Sequence, residues 1–128
     1  MARSIAEGVL VEVPASPEQA LRTVQAACSQ GLGGPLFWSE TAAGPFADME
    51  SDEASASFTG QVDHRGGPLS KLSLVVVELM DSDGTSSVIY IRAADLGRTS
   101  MFMGGANRNR AALDAILAKL QCRVLERT

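Results

Sequence analysis

Histidine, cysteine and basic residues are all scarce in this chain, and each shortage removes a class of function. A single histidine, His64, and two separated cysteines, Cys28 and Cys122, give no zinc-ligand spacing and no disulfide framework. Both thiols fall near the ends of predicted helices and are expected to be buried and free. Eleven Lys and Arg against fifteen Asp and Glu leave a net charge of −4, the reverse of the basic face that a nucleic-acid binder presents. Long apolar runs are missing too. The stretch Leu72–Met80 is broken by Ser73 and Glu78 and is too short to cross a bilayer. The start, MARSIAEGVLVEV, has neither the apolar core nor the small-residue cleavage site of a signal peptide. A cytoplasmic location is expected, for a free protein or for part of a longer one.

No stretch spells out a reaction. GLGG and MGGANRN lack the glycine spacing and the lysine of phosphate-binding loops. DSDG lacks the twelve-residue calcium pattern that ends in glutamate. DHRGG, around His64, offers a general-base or pH-sensitive position, although a loop histidine is more often simply solvated. No cofactor is implied.

What is present is secondary-structure patterning, in 128 residues that suit one domain. GVLVEV alternates as a half-buried strand, with Val9, Val11 and Val13 on one side. Ser16, Pro17 and Gln19 read as N-cap, first helical residue and capping box, and Gly31 as the stop. Between them Leu21, Val24 and Cys28 form an apolar stripe. LFWSETA reads as a strand with Leu36 and Trp38 on one face. A flexible acidic insertion is expected at 40–53. Ala54–Val62 alternates as a strand with one wet face. KLSLVVVEL is a central strand, DSDGT its turn and SVIYIRA the return. TSMFM offers a last short strand. Leu113, Ile116, Leu117, Leu120 and Val124 have the spacing of a closing amphipathic helix, capped by Asn107 or Asn109. The resulting fold class is α+β, a two-layer sandwich. An antiparallel sheet of four to five strands carries two helices on one face, in the order β-α-β-β-β-β-α.

Charge is segregated along the chain. Six acidic residues and no Lys or Arg lie between Glu40 and Asp63, whereas six basic residues face Asp114 and Glu126 from Arg98 onward. Arg108 and Arg110 pose a particular question, because cations are disfavoured where a helix begins. They either stand well out in water or meet something negative.

The stretch SKLSLVVVELMDSDGTSSVIYIRAADLGRTSMFM with its closing helix resembles the kinase-associated-1 domain. That domain is found at the C-termini of Ser/Thr protein kinases of the AMP-activated, microtubule-affinity-regulating and plant calcineurin-B-like-interacting kinds. The matching positions are Lys71–Met80, Val88–Asp95, Gly97–Phe102 and Arg110–Leu120, with GVLVEVPASPEQALRTVQAAC similar to the family's opening strand and helix. The resemblance implies the same α+β sandwich and a non-catalytic regulatory role. Its partner would be a kinase domain, a regulatory subunit or acidic phospholipid headgroups, with peripheral membrane contact in the last case. Two departures accompany it: no kinase domain is present, and lipid-binding members are usually basic. Docking would use the sheet's open face or the helix edges. The cationic contact would comprise Arg98, Arg108 and Arg110, with Lys71 and Arg65. The rival reading is a small apolar-ligand binder of helix-grip type, which would enclose a large cavity.

Overall fold

In the computed structural model, residues 6–32, 36–41, 56–64, 71–95 and 105–127 are described. The elements run β1 (Ala6–Val13), α1 (Pro17–Ser29), β2 (Leu36–Thr41), β3 (Ala56–His64), β4 (Lys71–Ser82), β5 (Ser87–Asp95), α2 (Gly105–Leu117) and β6 (Arg123–Arg127). They build one antiparallel sheet in the order β2-β3-β4-β5-β1-β6. The sheet therefore has one strand more than the four to five expected.

Register explains why both helices choose the same face. Val9 pairs with Ile91, which pairs with Val77; Val11 pairs with Ile89, which pairs with Leu79. Since paired residues share a side, β-branched residues from three strands form one continuous apolar surface. Ala20, Val24 and Cys28 of α1 and Ala112, Leu113 and Ile116 of α2 close on that surface in a single core. This core is built mainly of Val, Ile and Leu, with Ala20, Ala93, Ala112 and Cys28 among them.

The opposite side of the sheet is not uniformly wet, contrary to expectation. Thr59, Leu74, Val76, Glu78 and Ala94 are all buried there. Arg92 contributes to the closure: its guanidinium lies 5.6 Å from the Tyr90 ring centroid and 2.8 Å from Glu78. This close contact is an ion pair without aligned hydrogen-bond geometry.

Local signals hold with instructive exceptions. Ser16 occupies the N-cap position and Pro17 follows it, yet the Ser16 side chain makes no capping hydrogen bond. The predicted capping box is absent, and the Ser16 carbonyl accepts from Ala20 N–H instead. Gly31 terminates α1 at φ 102°, as a glycine past a helix end can. The β4–β5 turn is organised by Asp83, whose Oδ1 accepts from the N–H groups of Thr85 and Ser86 and from the Thr85 hydroxyl. Those donors, the Ser86 amide foremost, hold its carboxyl at about 2.

The largest correction lies at the C-terminus. The helix expected to include Leu120 and Val124 ends at Leu117, where Lys119 and Leu120 donate back over three residues rather than four. Val124 belongs to β6 and is exposed. The tail's pairing with β1 decides this, reinforced by Arg123–Glu12 at 3.3 Å and Arg127–Asp114 at 2.6 Å. Cys28 is buried as expected, but Cys122 is only partly so, with desolvation raising its thiol pKa. Of the acidic insertion, Glu40 and Thr41 lie in β2, and 42–53 fall outside the described residues, as does the TSMFM segment.

Trp38 shows how a glycine shapes the layer. Gly60 sits one strand across from Trp38 on the diagonal, and a Cβ there would come within 2.2 Å of the indole, a hard overlap. The ring also meets Phe58 edge-on at 6.3 Å and 86°. Gly60→Ala is expected to lower the unfolding free energy by about 1–3 kcal/mol through overpacking. Denaturant unfolding with tryptophan fluorescence reads the stability loss and the displaced indole together, because Trp38 is the one tryptophan.

Candidate functional site

A buried polar chain joins three elements at one end of the sheet. Ser73, fully buried near the start of β4, donates from Oγ to Asn109 Oδ1 on α2 at 2.9 Å. His64, the last residue of β3, approaches the same hydroxyl through Nε2 at 2.8 Å. The Ser73 hydroxyl has one hydrogen, and Asn109 takes it. His64 must therefore donate from Nε2 and carry a proton there.

That polarity has a chemical consequence. A general base for Ser73 would need a lone pair on Nε2, and the hydroxyl itself is closed to solvent. The trio ties the end of β3, the start of β4 and α2 together. Leaving such groups buried without partners is costly, so the chain fixes α2 against β4 in position and orientation. His64 is part-buried at a strand end, where the sequence suggested a solvated loop.

Asn109 is the residue the sequence misassigned. It is an interior residue of α2, which begins at Gly105, and its side-chain oxygen accepts from Ser73 on β4. One signal was available. Asn109 lies four residues before Leu113 and seven before Ile116, so it shares their buried stripe. A polar residue on an apolar stripe calls for a partner in the core.

The tether determines where the predicted cations lie. Arg108 and Arg110 flank Asn109 in the chain, and Lys71 stands two residues before Ser73, opposite His64 in the β3–β4 register. Three of the five positions thus lie, along the backbone, within two residues of the Ser73–Asn109 link. Arg110 is exposed, in the second turn of α2. It is past the first turn, where the helix dipole penalises a cation most. Arg65 and Arg98 lie outside the described residues.

Other basic residues are distributed in two ways. Arg92, Arg123 and Arg127 are committed to carboxylates of this chain. Arg22 and Lys119, which the sequence did not single out, line a polar groove of about 350 Å³ beside α1, with Gln19, Thr23 and Gln30. The helix layer therefore carries cationic positions at more than one point.

Among the described residues, no group of three or more His, Cys, Asp or Glu converges to hold a metal ion. No helix among them is long and apolar enough to cross a membrane. No family model and no curated protein matches this chain. Geometry and chemistry are left to carry the functional reading.

Proposed function

We propose that this chain is a non-catalytic interaction domain of the kinase-associated-1 kind, which docks an acidic segment of a protein partner. The docking surface would comprise Lys71, Arg108 and Arg110, whose chain positions flank the link between β4 and α2. The observation that supports this reading is the Ser73–Asn109 hydrogen bond, which joins α2 to β4 beside the chain positions of these residues. The partner is a kinase domain or regulatory subunit with an exposed acidic stretch. A protein partner is preferred to an acidic membrane because the lipid-binding members of the family the chain resembles are usually basic, whereas this chain carries a net charge of −4. The filled interior speaks against a helix-grip ligand cavity.

The experiment uses hexaglutamate as the probe in a salt series, with phosphatidylserine vesicles as a second arm. Two exposed ionic contacts at about 0.7 kcal/mol each together amount to about tenfold in affinity. Arg108→Ala with Arg110→Ala is therefore expected to weaken hexaglutamate binding about tenfold and to flatten its salt dependence. The unfolding midpoint should remain close to that of the parent. Unchanged binding in the double variant would remove this surface from the reading. Tighter binding to vesicles than to the peptide would transfer it to a lipid surface.

A further inference from the structure

The edge strand β6 supplies an inference that does not depend on the docking surface. Among the described residues it is the last strand of the sheet, with no strand beyond it. All five of its residues are exposed, and Val124 and Leu125 are 49% and 40% exposed despite being large and apolar. An uncovered edge presents backbone donors and acceptors ready to pair with another strand.

The residues of this edge are complementary to themselves. When two copies of Arg123–Glu126 run antiparallel about an axis between Val124 and Leu125, Arg123 faces Glu126 of the second copy. Val124 then faces Leu125 of the second copy. Both ends of the contact carry opposite charges, and apolar pairs fill its middle. The adjacent register, centred on Leu125, would set Arg123 against Arg127 and is disfavoured. Within the sheet, Arg123 pairs with Glu12 and Glu126 with Leu10, two alternate residues of β1, so both charges lie on one side. They can meet their counterparts there. Leu125 is the residue β1 leaves over, since Val124 and Glu126 take the consecutive partners Val11 and Leu10.

We propose that β6 pairs with β6 of a second copy in this register, continuing the sheet into a two-fold symmetric dimer. Such an interface is isologous, which the self-complementary order requires. Four residues per copy bury far less than the roughly 800 Å² per partner of a stable interface. The dimer therefore forms reversibly, with a dissociation constant on the order of 0.1 mM.

The test uses the full chain in analytical ultracentrifugation from about 0.01 to 1 mM, a range that brackets that constant. The parent chain is expected to shift from monomer to dimer across this range. Arg123→Glu places Glu against Glu in the self-pair, and Glu126→Arg places Arg against Arg, so each variant alone should stay monomeric. Mixed together, the two should associate, because every cross-pair then joins Glu to Arg. Both positions are exposed, and Arg123→Glu is made together with Glu12→Gln so that the new carboxylate meets no like charge across β1. Circular dichroism should therefore match the parent. A monomeric parent at 1 mM, self-association of either single variant, or a mixture that stays monomeric would each overturn the proposal.

Discussion

Arg92→Met is expected to lower the unfolding free energy by about 3–5 kcal/mol, a large share of the stability of a domain this size. Glu78 has no exposed side-chain surface, and Arg92 lies 2.8 Å from it with 23% of its own side chain exposed. Removing the guanidinium leaves a carboxylate in the closed middle of the outer face without the cation packed against it. The pair itself need not add stability, because two desolvated charges offset much of their attraction. The double variant Glu78→Leu with Arg92→Met should accordingly recover most of the loss. Urea unfolding of the single and double variants measures the difference. A single-variant cost below about 1 kcal/mol would show that the outer face is wetter than the structure has it.

Leu113→Ala comes next, at about 2–5 kcal/mol. Leu113 is fully buried where α2 crosses β5 and β1. The cavity left behind is lined by the branched side chains of the sheet, which cannot easily collapse into it. Beyond the global loss, α2 should open earlier than the sheet. Hydrogen exchange in the variant is expected to speed up most along 109–117. Uniform acceleration across all strands would mean that α2 and the sheet unfold as one unit, and that the tether adds no local register.

Which parts of this architecture were legible in the sequence follows from the range of the interactions. The strand at Val9–Val13, the helix from Pro17 to its glycine stop, and the central strand with its Asp83 turn each rest on periodicity or turn chemistry within a dozen residues. Their local preference and their final place agree. Val124 shows the opposite case. It continues a helical spacing begun at Leu113, yet its fate is decided by β1, more than a hundred residues earlier in the chain. Nothing within one helical window reports that pairing. Glu78 is similar: inside an apolar run it reads as an interruption, and only the cross-strand diagonal to Arg92 makes it a buried ion pair. At the candidate site the cations were visible by type, and the link between their elements was not. The Ser73–Asn109 bond spans 36 residues and joins the two elements that carry Lys71 and the arginines. Because α2 begins at Gly105, Arg110 stands in its second turn, and only Arg108 is close to the unpaired N–H groups of the first.

The most direct measurement is a two-dimensional amide NMR titration of the labelled chain with hexaglutamate at low salt. The account predicts shifts concentrated at His64, Lys71–Ser73 and 106–112, fading as salt is raised, with α1 and β6 unchanged. Shifts centred on the Arg22–Lys119 groove, or none that depend on the peptide, would contradict it.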